Sequence, residues 1–289
     1  MDFAVLLLFS TPLILAGLGE AVGQRSGVLN IGLEGMMLVG AFVGFVVADR
    51  SGSLWLGFGA AAASGVVLTA LAAFFSVRMG ADQVVVGTAI NLLALGATGL
   101  AFRRLYGQSG QLLSSSALPK WAGFDPVMIA ALILVPAVWY LLHRTNWGLA
   151  VRACGEYPAA VEASGFPVSK LRLQASMVGG ILAALGGAYL SLGVAGTFAE
   201  AMTAGRGFLA IALVTFGRWQ PVWVALAAFL LGYLQSLQYS LQGRAILGVS
   251  IPSQLWLALP YVMALVVLVL VGTGTVTPQA LGKPYTKER

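Results

Sequence analysis

Charge is what this sequence has least of. Of 289 residues only 9% are Asp, Glu, Lys or Arg, whereas 59% are hydrophobic, and the mean hydropathy is +0.90. Repeated apolar runs of span length predict a polytopic helical membrane protein and argue against a soluble core. The runs are continuous and do not alternate, which argues against a β-barrel. A single cysteine, Cys154, excludes an internal disulfide and any cysteine-based metal site. The only histidine, His143, abuts Arg144 at a span end, where an interfacial role fits, and no His/Cys/carboxylate cluster offers a metal site. No G-x-x-x-x-G-K-[ST] phosphate loop occurs, so the chain does not hydrolyse ATP by the usual loop. Nor does the central polar segment offer a nucleophile–base pair. The net charge of +6 is spread over scattered residues, which fits cytoplasmic loops facing anionic lipid and gives no footing for nucleic acid. Met1–Gly17 lacks a basic leader and a cleavage site and reads as a first span.

Glycine, by contrast, is plentiful. Thirty-seven glycines suit packed membrane helices, whose backbones approach closely at small residues. The chain reads as one all-α transmembrane helical bundle of about eight to nine spans. Expected spans are Phe3–Leu18, Val28–Ala48, Leu54–Val77, Val84–Phe102, Val127–Leu142, Leu173–Leu192, Val222–Leu241 and Gln254–Val271, with a short apolar piece at Gly207–Phe216. Residues 1–143 form a first half, 144–172 a polar segment, 173–271 a second half and 272–289 a tail. The distribution of Lys and Arg leans towards an orientation with the polar segment and the Lys283–Arg289 tail together in the cytoplasm.

Two places break the helical rhythm. In SGVLNIGLEG (Ser26–Gly35), three glycines bracket Asn30 and Glu34, and the regular helix expected after it, Met36–Ala48, would reach only about 20 Å. In GRGFLAIALVTFG (Gly205–Gly217) the helix would reach only about 15 Å. Each break is followed by a polar turn and a span that begins with tryptophan, Trp55 or Trp223. That pattern predicts an inverted repeat with broken helices running in opposite directions, the arrangement that marks substrate paths in transporters. Irregular backbone at that depth needs protein or a water-filled cavity to satisfy it.

Glu34 is the most membrane-embedded acid on this map, either a substrate contact, proton site or structural acceptor, or a counter-charge for the helix it begins. Asn30 is a helix cap or a pore hydrogen-bonder. Asn91, with Thr88 one turn before it, either binds a polar solute or links two helices for about 1 kcal/mol. Gln235 and Gln238, near the outer end of their span, read as interhelical contacts.

Arg144–Arg172 carries a denser set of charges and must lie outside the hydrocarbon. Within it Pro158 suits a first helical position, Gly165 a residue just past the end, and Pro167 prevents continuation, so the sequence predicts a helix of about two turns with an alanine face. Such a helix is either shaped to be gripped by another protein or packs on its own chain.

Three stretches together resemble one family. SGVLNIGLEGMMLVGAF (Ser26–Phe42), NWGLAVRACGEYPAAVEASGFPVSKLR (Asn146–Arg172) and AGRGFLAIALVTFGRWQP (Ala204–Pro221) are similar to the permease subunits of bacterial ABC importers of the branched-chain amino acid and ribose type. The LNIGLEG form (Leu29–Gly35) resembles the shorter permease of nucleoside and simple-sugar importers. Ribose-type members usually carry Asp-Leu-Ser there, which this chain lacks. The resemblance implies a multi-pass protein of the bacterial inner membrane that carries a nucleoside or related sugar-containing solute. The helix at Tyr157–Gly165 would be a coupling helix seated in a separate ATPase subunit. Gly155, Glu156, Tyr157, Pro158, Ala159, Ala160, Glu162 and Gly165 would form that contact. The resemblance also implies no cofactor of the chain's own, with ATP–Mg bound by the partner, a second and different permease subunit, and an extracytoplasmic solute-binding protein. The solute path would then pass between the two breaks, lined by some of Asn30, Glu34, Thr88, Asn91, Phe198 and Thr215. An ion-coupled secondary transporter with Glu34 as its coupling carboxylate fits the broken helices equally well.

Overall fold

The computed structural model describes residues 3–107, 118–241, 245–246, 249–250, scattered positions from 256 to 269, and 277–285. Among the described residues ten α-helices have both ends placed: α1 (Phe3–Arg25), α2 (Leu33–Ser51), α3 (Leu54–Ala73), α4 (Gln83–Tyr106), α5 (Pro126–Arg144), α6 (Asn146–Glu156), α7 (Pro158–Ala163), α8 (Val168–Tyr189), α9 (Arg206–Phe216) and α10 (Pro221–Leu241). Wider π-helical turns extend α3 over Phe74–Arg78 and α8 over Leu190–Ala195. A two-residue pairing, β1 (Ala245–Ile246) with β2 (Val249–Ser250), follows α10. Among the described residues six helices are long and apolar enough to cross a membrane: α1, α3, α4, α5, α8 and α10, with α3 and α8 counted with their π turns. The expected eighth span, Gln254–Val271, lies largely outside the described residues, and its described positions are helical.

Helices α1 and α8 form the centre and lie against each other through glycine. A Cβ added to Gly19 would sit 2.8 Å from the Gly179 carbonyl oxygen, and one at Gly187 would meet the Met37 carbonyl at 1.8 Å. On the α3 side a Cβ at Gly65 would lie 2.4 Å from the Gly180 carbonyl. The glycine pairs of α8 thus admit α1, α2 and α3 at backbone distance, which is how small residues drive packing where water is absent. Partners are exchanged between the halves: α1 packs on α10, and α8 packs on α3. Helix α2 climbs towards the end of α8, with Phe45 against Phe198, while α9 ends where Trp219 bonds Gln24 near the end of α1. The two helices after the breaks therefore run in opposite directions.

Several boundaries differ from those the sequence predicts. Helix α1 continues past Leu18 to Arg25, because Glu20 and Gln24 are satisfied inside the protein. Helix α2 begins at Leu33 and has 19 residues, about 28 Å, so the first break interrupts the chain but does not shorten the helix after it. Helix α9 agrees with expectation, 11 residues between Gly205 and Gly217. Helix α8 starts at Val168, five residues before the expected Leu173, with Arg172 buried and its Nη1 donating to the Lys283 carbonyl at 2.9 Å. The polar segment holds two helices. The unexpected one, α6, is N-capped by Thr145 and buries Gly148, Val151 and Gly155, a three-and-four spacing that helical periodicity could have revealed.

Candidate functional site

The two breaks meet at Glu34. From the first turn of α2 its carboxylate accepts the Gly205 N–H at 2.8 Å and the Gly207 N–H at 2.6 Å. These belong to the N-terminus of α9, so one carboxylate satisfies two of the donors that a helix start leaves open and faces the positive ends of two helix dipoles. The approach is tight: a Cβ on Gly207 would lie 2.5 Å from Glu34 Cα. Glu34 thus caps α9, a helix 171 residues away in sequence, as well as standing at the start of its own.

The first break is braced on every side. Asn91 of α4 donates to the Ile31 carbonyl at 2.9 Å and accepts the Gly35 N–H at 2.8 Å. Gln83 accepts the Leu29 N–H at 2.7 Å, and Glu20 accepts the Asn30 N–H at 3.2 Å. The Asn30 amide itself points at the Met36 sulfur at 3.2 Å. Glu20 is the most deeply buried acid here, 1% exposed, deeper than Glu34; an expected span ending at Leu18 had left it off the membrane map. What space remains beside this break, lined in part by Asn30, Gln83 and Ser176, is about 20 Å³, room for about one water.

The second break is looser. After the π turn of α8 the chain turns at Gly196 (φ 63°) and reaches α9 through Ala201 and Ala204, both at positive φ. Such backbone is costly for alanine and persists only where surroundings hold it. Here Tyr261 donates to the Ala204 carbonyl at 2.5 Å, Arg206 bonds the Met202 and Thr203 carbonyls at 3.2 Å each, and Arg103 pairs with Glu200 through two contacts of 2.6 and 2.7 Å. Beside this break lies a cavity of about 340 Å³, bounded by the end of α8, the 197–206 loop and α10.

Of the six residues expected on the path, the structure brings together Asn30, Glu34 and Asn91 at the first break. Phe198 is buried in an aromatic cluster with Phe42, Phe45 and Phe102. Thr88 is exposed on α4 and bonds the Val84 carbonyl, and Thr215 sits at the far end of α9 from Glu34. None of the six lines the larger cavity. Gln235 and Gln238, expected as interhelical contacts, do line it, and their span-end position was the only signal the sequence offered.

At the face opposite the second break, α6 and α7 enclose a groove of about 610 Å³ whose lining includes Leu149, Ala153, Glu156, Tyr157, Ala160 and Phe166. Leu149, Tyr157 and Phe166 are 60%, 63% and 55% exposed, a large apolar surface with no cover among the described residues. Helix α7 has Pro158 at its start and Gly165 (φ 88°) beyond its end, as the sequence predicts. It is anchored by Val161 on Cys154, Val168 and Leu171, where burial pushes the Cys154 thiol up to about 11. Ala159, Ala160 and Gly165 are exposed, Glu156, Pro158 and Glu162 partly so, and Gly155 is buried with a Cβ there only 2.4 Å from the Arg25 carbonyl. The tail straps this region to the first break: the Ala280 N–H donates to the Gly155 carbonyl at 2.8 Å, and the Gly282 N–H to the Gly27 carbonyl at 3.0 Å.

Residues 3–271 match the family described as the permease component of the branched-chain amino acid transport system. The chain is 40% identical over 251 positions to TsgC13 of Haloferax volcanii, named as a permease of a glucose ABC transporter, covering 82% of this chain and 76% of the relative. It is 34% identical over 305 positions to the guanosine ABC transporter permease NupQ of Bacillus subtilis, covering 97% and 95%. A third relative, the nucleoside ABC transporter permease NupC of Lactococcus lactis, is 32% identical over 314 positions, covering 99% and 96%.

Proposed function

The chain belongs to the family of branched-chain amino acid transport permease components and is a multi-pass permease subunit of an ABC importer, and from that premise we propose that it carries a nucleoside or related sugar-containing solute, powered by ATP that a separate subunit binds and hydrolyses. The chain itself binds no ATP–Mg. An extracytoplasmic binding protein delivers the solute, and a second permease subunit completes the path. The relatives named for guanosine, nucleosides and glucose support the solute class.

The observation that carries the coupling is the uncovered groove between α6 and α7. Its apolar lining and small Ala160 suit a partner surface pressed against it. The tail supports a route inwards, since it bonds the end of α6 and the start of the first break at once. Movement imposed on α6 and α7 would be carried to Gly27 and on to Glu34, where both helices of the path begin. Glu34 needs no protonation cycle in this account, because both oxygens are occupied by α9.

Ala160→Trp tests the docking. The exposed position tolerates the side chain for folding, but the ring fills the groove. Copurification of the ATPase subunit and solute-stimulated ATP hydrolysis should both fall at least tenfold, about 1.4 kcal/mol or more of lost docking, while membrane expression is kept. Unchanged copurification and hydrolysis would remove α7 from the contact.

A further inference from the structure

The cavity beside the second break is lined by two carboxamides. Gln235 and Gln238 stand three residues apart on α10, on one helix face, and both line it. They are 5% and 6% exposed. Gln235 Oε1 is buried without a hydrogen-bond partner. A buried amide oxygen left unpaired costs stability, and two carboxamides side by side along one cavity are groups that a ligand can pair. Neither Glu34 nor the braces of the first break reach this space.

The geometry points to this cavity as the solute site of the permease, with the Gln235 and Gln238 amides reading the polar edge of a neutral nucleoside; this rests on the importer reading given above. At about 340 Å³ it falls in the size range of small-molecule sites. Its walls from α8, Leu190, Val194 and Ala195, are apolar, and the phenols of Tyr239 and Tyr261 stand at its rim. That is a slot for a flat ring. A carboxamide presents a donor and an acceptor together, the pattern a nucleobase edge offers in return. Among the described residues no acidic side chain lines the cavity, so the ammonium of an amino acid would find no partner among them. Arg206, the one cation at the wall among the described residues, is already held by the Met202 and Thr203 carbonyls. The loop closing this site ends at Gly205, which Glu34 holds, so the site lies where movement of the breaks reaches it.

Gln235→Leu and Gln238→Leu, singly and together, test the assignment in the full complex reconstituted in proteoliposomes, with radiolabelled guanosine and glucose as probes. Leucine keeps the volume and removes the amide. Because Gln235 Oε1 has no partner in the fold, thermal stability should hold or rise. ATP-dependent guanosine uptake at low concentration should fall by about tenfold per lost hydrogen-bonding group. Leucine variants that unfold several degrees earlier would make the amides structural and overturn the assignment. Variants that take up guanosine like the wild type would overturn it while leaving the importer reading intact. A wild-type complex that moves glucose and not guanosine overturns the solute class. Failure of the importer reading shows separately, as a complex that lacks an ATPase subunit.

Discussion

The two broken helices share a design and differ in what their polar groups are for. At the first break Asn91, Gln83 Oε1 and Glu20 bond the backbone, Gln83 Nε2 and Ser176 Oγ are buried without a partner, and the space left is about 20 Å³. At the second, Glu34, Tyr261 and Arg206 hold the entry to α9, and about 340 Å³ lies open beside the Gln235 and Gln238 side chains. A polar residue inside a membrane protein is therefore no guide to a path by itself. It becomes one where it also borders room for a solute: the unpaired Gln83 Nε2 and Ser176 Oγ have space for about one water, whereas Gln235 and Gln238 line about 340 Å³.

Removing the shared element should have the largest effect. Glu34→Ala leaves the Gly205 and Gly207 N–H groups without their acceptor, a loss of about 2–4 kcal/mol, and should lower the thermal midpoint of the purified complex and its uptake together. Glu34→Gln keeps one acceptor and should lose about half as much, with the pH dependence of uptake unchanged. If Glu34→Ala is as stable as the wild type, the cap is not what joins the breaks. Asn91→Leu comes next. It removes two bonds from the first break alone, about 1–3 kcal/mol. Stability should fall, whereas the apparent affinity for solute should stay within twofold, since Asn91 does not line the larger cavity; a large affinity change with intact stability would reverse the contrast between the breaks. The smallest effect belongs to Glu200, an exposed partner of Arg103 at the second break. The hydrogen bond from Arg103 holds its carboxyl below the ordinary value. A depressed folded value means the contribution is present above the unfolded pKa and lost as pH falls through the folded one. Glu200→Gln should therefore leave uptake at neutral pH within twofold, and any difference from the wild type should close on acidification.

Much of this architecture is legible in the sequence because it follows from local chemistry. Pro158 and Gly165 bound α7, Gly205 and Gly217 bound α9, and continuous apolar runs mark the spans. What the sequence could not supply was partnership across the chain. Asn30, Glu34 and Asn91 stand out as polar residues in apolar surroundings, yet whether each is paired depends on residues up to 173 positions away. Gln235 and Gln238 look like ordinary helix-linking amides until the cavity beside them is seen. Glu20 lies beyond the apolar run that ends at Leu18, and α1 runs on through it because Gln24 and Trp219 pair the polar groups there. Phe198 and Thr215 flank the second break in sequence, but an aromatic cluster takes one and the far end of a helix the other.

The central claim is that energy enters through α6 and α7 and not through Glu34. Uptake of guanosine into proteoliposomes carrying the full complex, with the proton and sodium gradients collapsed, measures this directly. The account predicts uptake that requires ATP, proceeds without either gradient, and is abolished by Ala160→Trp. Uptake that follows an imposed gradient and ignores ATP would contradict it.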